Sequence, residues 1–256
     1  MKKTQTNKLR FFLFFVIPMC LFLFNISCGL DTVEVIEPPN YIKTQPNITS
    51  IDDVQSFDNK TFDFFTNETA TYSEISFLGT EIYYRIYNNF STMINERSAL
   101  INSATTTSTS ASSASKLIND YNYKKLKFPD DSDLIIPKSA SNSNQEVTIR
   151  LTDYFEPGDF SACVKVNGNL LKGTLEASKP MRFTAPVLTF NFGRDGDKDD
   201  VPSSGDSDFS YSSSGTNIYY VCLFAVGTGI DIYYSPQYSS ICYLGTVTIN
   251  SDSENN

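Results

Sequence analysis

The 256-residue chain contains no histidine and no tryptophan, which excludes Ser-His-Asp triads, Cys-His pairs and His-ligated zinc together. Its formal charge of −9 comes from 20 cations and 29 carboxylates, and four of the cations, Lys2, Lys3, Lys8 and Arg10, crowd the start of the chain. The leader has no carboxylate, so the rest carries 16 cations against 29, a net charge of −13; nucleic acid and anionic headgroups repel such a chain, and nucleic-acid binding is set aside.

The cationic start is followed by an apolar run from Phe11 to Phe24, broken only by Pro18, and by Asn25-Ile26-Ser27-Cys28. This is the layout of an export signal. The run has 14 residues, whereas a spanning helix needs roughly 20. An A-x-A-like cleavage site is missing near residues 25–30. Ser27 directly before Cys28 resembles the lipobox of bacterial lipoproteins, in which a peptidase cuts ahead of a cysteine already carrying diacylglycerol. Asn25 stands where Leu is usual, a looseness that spirochaete-type lipoproteins tolerate. The resemblance implies a signal peptide over 1–27 and a lipidated Cys28. A tether over 28–49 follows, and palmitate-class acyl chains hold the protein to a cell-envelope membrane.

About 228 residues follow Cys28, ample for a buried core. A β domain is expected over 50–250, with a polar tail at 251–256. Val33, Val35 and Ile36 read as a first strand before the stiff pair Pro38-Pro39. Phe57, Phe62, Phe64 and Phe65 mark a second. From Gly79 to Tyr87 the β-branched and aromatic residues form the clearest strand of the chain. The period then changes to helical: Phe90, Met93, Ile94, Arg97, Leu100, Ile101 and Ala104 share a stripe, with Ser91 placed to cap it. A weaker stripe through Ala111, Ala114, Leu117, Ile118 and Tyr121 follows a Thr/Ser tract, predicting a helical insert at about 90–122. Strand patterns return at Leu134–Ile136, Val147–Leu151, Cys163–Val166, Leu170–Leu175, Met181–Phe183 and Val187–Phe192. Asn217–Val226 and Ser240–Ile249 should form a closing antiparallel hairpin across a loop in which Gly227-Thr228-Gly229 is read as a turn.

Many short strands without regular strand-helix alternation predict a mainly β fold, an antiparallel sandwich with a helical insertion. Gly79–Tyr87 and Ile218–Val226 resemble the third and sixth strands of a fibronectin type III or Ig-like domain, and Pro38-Pro39 fits the same pattern. Ser27-Cys28-Gly29-Leu30-Asp31-Thr32, Glu37-Pro38-Pro39 and the Gly79–Asn89 run also resemble spirochaete lipoproteins. That likeness implies export and anchoring and carries no known activity.

The acidic loop Gly193–Asp208 offers a calcium candidate, because Asp195, Asp197 and Asp199 alternate and Asp206 falls at the position of a twelfth ligand. Asp200 replaces the turn glycine, Pro202 is ill-placed and the terminal Glu is missing, so a solvated acidic loop is the plainer reading; no cofactor is otherwise implied. Paired carboxylates could serve a glycan-active enzyme, with Glu74, Glu81, Glu156 and Asp159 as nominal acids, but no spacing selects two of them. Tyr83, Tyr84, Tyr87, Tyr219, Tyr220, Tyr233, Tyr234, Tyr238 and Tyr243 either stack on a ligand or fill half-exposed strand positions. Cys222 and Cys242 could be bridged, or Cys163, Cys222 and Cys242 could be three buried thiols. The expectation is a non-enzymatic lipoprotein that meets the bilayer through Cys28 and binds a protein or glycan. A structural envelope component and a carboxylate-based glycan enzyme are the alternatives.

Overall fold

The computed structural model describes residues 34–42, 45–51, 60–106, 112–152, 161–183, 192 and 202–250. It is mainly β. The strands are β1 (Asn40–Tyr41), β2 (Phe62–Phe65), β3 (Ile75–Tyr87), β4 (Lys124–Lys125), β5 (Ile135–Pro137), β6 (Glu146–Arg150), β7 (Cys163–Val166), β8 (Asn169–Leu170), β9 (Phe209–Ser210), β10 (Ile218–Asp231) and β11 (Pro236–Asn250). Between β3 and β4 lie helix α1 (Phe90–Thr105) and the short α2 (Ser113–Ser115), which runs into a π-helical turn, Lys116–Asp120. One sheet has the order β1-β2-β6-β7-β8; the other has β11-β10-β3-β4, with β5 and β9 also against β3. Among the described residues, every strand pairing is antiparallel except that of β3 with β9.

Alternation decides what each sheet buries. In β2, Phe62 and Phe64 are buried while Phe65 is exposed, and in β6 Val147 and Ile149 are buried between more exposed polar residues. That pattern belongs to a sheet with one solvated face. The inward set meets Ile82, Tyr84 and Ile86 of β3, Val221, Leu223 and Ala225 of β10, and Leu244 and Val247 of β11 in one core. The second sheet buries its other face too. Tyr83, Tyr87, Tyr220, Cys222, Phe224 and Val226 pack under Met93 and Leu100 of α1 and under Ala114 and Leu117. It is therefore a middle layer between the first sheet and the helices. This explains why Tyr220 to Val226 reads as an unbroken apolar run and not as an alternation. Each large side chain so buried contributes about 1.5–3 kcal/mol.

Several local expectations are corrected. Residues 34–36 are not a strand; Ile36 is buried, and the first pairing begins after the prolines at Asn40. Helix α1 is capped by Asn89, whose Oδ1 accepts from Thr92 N at 2.9 Å, while Ser91 falls inside the first turn. Gly227-Thr228-Gly229 lies within β10, and the chain reverses only at Ile232–Ser235. Those glycines admit close neighbours: a Cβ on Gly229 would stand 2.8 Å from Ser76 O, and one on Gly227 2.9 Å from Ile36 Cγ2. After β8 the chain turns through Gly173 (φ +78°), so Leu170–Leu175 is not one strand. Met181 makes only an isolated bridge to Lys127. Val187–Phe192 lies outside the described residues apart from Phe192, which is buried edge-on against Tyr84 at 5.0 Å.

The Cys222–Cys242 bridge does not form. The β10/β11 register sets Cys222 against Thr246 and Cys242 against Ala225, and Cys222 faces the helices while Cys242 faces the other sheet. Thiols on opposite faces of a sheet cannot reach disulfide geometry. Cys163, Cys222 and Cys242 are all buried, and none is in a disulfide.

Candidate functional site

Strand alternation turns Tyr84 into the inter-sheet core, where its hydroxyl needs partners. It donates to Asp208 Oδ2 at 2.5 Å and accepts from Phe183 N at 2.7 Å. Arg182 completes the group: its Nε and Nη2 donate to the two oxygens of Asp208 at 2.8 and 2.6 Å, and Nη2 also reaches Asp206 Oδ2 at 2.7 Å. Asp208 is fully buried and Arg182 nearly so. Burial works against the charge on Arg182, but the hydrogen bonds and field of Asp208 outweigh it and its pKa rises. Burial, then the charge of Asp208, holds the Tyr84 hydroxyl well above its ordinary pKa. Asp208 also accepts Ile86 N on its backbone carbonyl at 3.0 Å, which seats β9 beside β3. The cluster is a clamp on the end of the acidic loop, one guanidinium shared between two carboxylates.

Asp206 is consequently committed: its Oδ2 accepts from Arg182 and, at 2.9 Å, from Ser203 N. Asp195, Asp197 and Asp199 lie outside the described residues, as do Cys28, Glu156 and Asp159. Among the described residues no group of three or more Asp, Glu or Cys is arranged to hold a metal ion.

On the helix side, Glu81 is buried beside Tyr83, whose hydroxyl donates to it at 2.6 Å, and Lys125 Nζ lies 2.7 Å from its other oxygen and 3.7 Å from Asp133. Burial, then Glu81, drives the Tyr83 pKa upward. Glu74 precedes β3 and is exposed. The strand between Ile75 and Glu81 rises roughly 20 Å, twice the separation of about 9.5 Å that an acid/base pair tolerates. Glu74 and Glu81 are not brought together.

The structure sorts the tyrosines, which the sequence could not. Tyr83, Tyr84, Tyr87 and Tyr220 are buried, and Tyr219, Tyr238 and Tyr243 are partly so. Tyr87 Oη lies 2.8 Å from Glu96 Oε2 and 3.0 Å from Tyr123 Oη, tying α1 to the sheet. Only Tyr233 and Tyr234 of that set stand free, at 80% and 83% exposure.

Among the described residues, a groove of about 380 Å³ lies beside the outer edge of β11. Pro38, Pro39 and Tyr41, Ile101 and Ala104 of α1, and Phe224 and Ile241 line it. Its size falls within the range of small-ligand and side-chain pockets. A bare edge of fifteen residues would invite strand pairing. Here Ile241 N donates to Ser113 Oγ at 3.1 Å, Thr246 N to Pro46 O at 2.8 Å, and Gln45 Nε2 to Tyr243 O. These contacts occupy the backbone edge around the groove and leave its apolar surface open. No spacing in the sequence announced the groove, because its lining comes from four separate stretches of the chain. Among the described residues no helix is long and apolar enough to cross a membrane. Compared with protein-family models, curated proteins and solved structures, the chain matches none.

Proposed function

We propose that the protein is an exported lipoprotein, acylated at Cys28, whose β domain is a non-enzymatic binding module. The observation that carries the anchor is the run of Lys2, Lys3, Lys8 and Arg10, an apolar segment too short to span, and Ser27-Cys28. The groove supports the binding role. Its largely apolar lining, with Pro38, Pro39, Ile101, Ala104 and Ile241 beside the ring of Tyr41, suits an apolar side chain of a protein ligand.

Strand order supports the Ig/fibronectin-like reading of the domain. In the Ig pattern strands A, B, E and D share one sheet and C, F and G the other. Taking β1, β2 and β3 as A, B and C and β10 and β11 as F and G, one sheet runs A-B-E through β1-β2-β6 and the other C-F-G through β3-β10-β11. Strands β4 and β5 then extend the C edge, and β7–β8 lies beyond E.

Mass spectrometry of the native N-terminus tests the anchor: a diacylglyceryl mass on Cys28 is expected, and Cys28→Ser should move the protein to the soluble fraction. An intact leader or an unmodified amine would remove it. Photo-crosslinking from Thr105 at the groove rim in intact cells should yield a discrete adduct that Ala104→Trp abolishes. An adduct pattern indifferent to Ala104→Trp would favour a structural envelope role.

A further inference from the structure

We propose that the β10–β11 hairpin tip, Ile232-Tyr233-Tyr234, is a second membrane contact that rests at the zwitterionic lipid–water interface and fixes the orientation of the anchored domain. The inference rests on acylation of Cys28 and goes beyond it. Ile232, Tyr233 and Tyr234 are 59%, 80% and 83% exposed, three consecutive large side chains with little of their bulk against the domain core. Their position says what covers them. Glu34 is bound where β3 begins: its carboxylate accepts from Ser73 N and Glu74 N, both at 2.8 Å. The next residue along, Ile75, opens β3 and pairs with Asp231, the last residue before the tip. The chain coming from the anchor thus enters the domain at the end that carries the tip, and Val35, 52% exposed, adds to the apolar surface there. Gly29 to Val33 is all that separates Cys28 from Glu34, a stretch that spans at most about 22 Å fully extended. A bilayer holding Cys28 is therefore within reach of that end of the domain.

The tip is also built to leave bulk water cheaply. Tyr233 N and Ser235 N both donate to Asp231 Oδ1 at 2.8 Å, Tyr234 N donates to Asp231 O at 3.0 Å, and Asp231 N donates to Ser235 O at 3.1 Å. These backbone donors are satisfied internally, which lowers the cost of entering a less aqueous layer. Tyrosine suits headgroup depth, with an apolar ring and a polar hydroxyl. Asp231 and Glu34 beside the tip disfavour anionic headgroups, which points to zwitterionic lipid.

The absence of tryptophan provides the test. Tyr233→Trp gives the detergent-purified native lipoprotein a single indole reporter at the tip. Tyr211→Trp gives a control, since Tyr211 is exposed and follows Ser210, which pairs with Tyr87 at the far end of β3. After reconstitution into phosphatidylcholine vesicles, the tip indole should emit at shorter wavelength and lose intensity with brominated acyl chains, while the control indole responds only to aqueous iodide. Protein that floats with the vesicles while its tip indole ignores brominated lipid overturns the tip contact alone. Shielding of the tip indole from both quenchers identifies a protein partner or a second copy and overturns it equally. Protein that does not float removes the anchor and this proposal with it.

Discussion

At the scale of single residues, the most consequential group is Arg182, buried with Asp208 and joined through it to Tyr84. Removing one partner of a buried pair leaves the other charge without compensation, which typically costs about 3–5 kcal/mol. Arg182→Met is expected to lower stability by that amount in urea denaturation, and Arg182→Met with Asp208→Leu should recover much of the loss. The thiols make a separate prediction. Burial pushes Cys222 up to about 11 and Cys242 to about 12. An unfolded thiol titrates near about 8.5, so the native state holds its protons longer. The stability from these two groups is complete below about pH 8.5 and is lost as pH rises through the folded values. A thiol reagent at about pH 8 should modify Cys163, Cys222 and Cys242 only after denaturant is added. Rapid modification of the native protein would contradict their burial.

Among the elements, α1 and β3 depend on particular residues at their ends and bends. Asn89→Ala removes the cap that holds Thr92 N, and about 1 kcal/mol should be lost in thermal or urea unfolding. Gly79 sits at φ +151°, opposite a register shift in β10, and a Cβ there would lie 2.2 Å from Ile136 O. Gly79→Ala must displace β5, so a loss of more than about 2 kcal/mol is expected. A Gly79→Ala variant as stable as the parent would mean that β5 is not held where it is described. The helical stripe from Phe90 to Ala104 and the strand from Gly79 to Tyr87 were readable in advance because each is a periodicity among near neighbours. The cap was misplaced by two positions because Asn89 and Ser91 are both good caps, and only the start of the helical hydrogen bonds selects between them.

For the whole molecule, the middle sheet is the organising element, with one core on each face. Because Cys163, Cys222 and Cys242 form no disulfide, reductant should leave the urea midpoint of the β domain unchanged. A midpoint that falls with reductant would reveal a covalent link. The acidic loop shows why the candidate site was only partly legible. The alternating aspartates offered a calcium candidate beside the plainer reading of a solvated loop; Asp206 closes onto Arg182, twenty-four residues earlier in the chain, and Asp195, Asp197 and Asp199 lie outside the described residues. The groove was illegible for a similar reason: Tyr41, Ala104 and Ile241 share no local pattern.

Composition and periodicity by themselves determined that the chain is mainly β, where its long helix and longest strands run, and that imidazole chemistry is absent. These are properties of residue identity and near neighbours. Only the tertiary structure decided that β3 pairs with β10, that Tyr84 is buried while Tyr234 is exposed, and that Cys222 and Cys242 face apart. Burial and pairing are set by what comes to lie on top of a strand, and here those covering elements are distant in sequence.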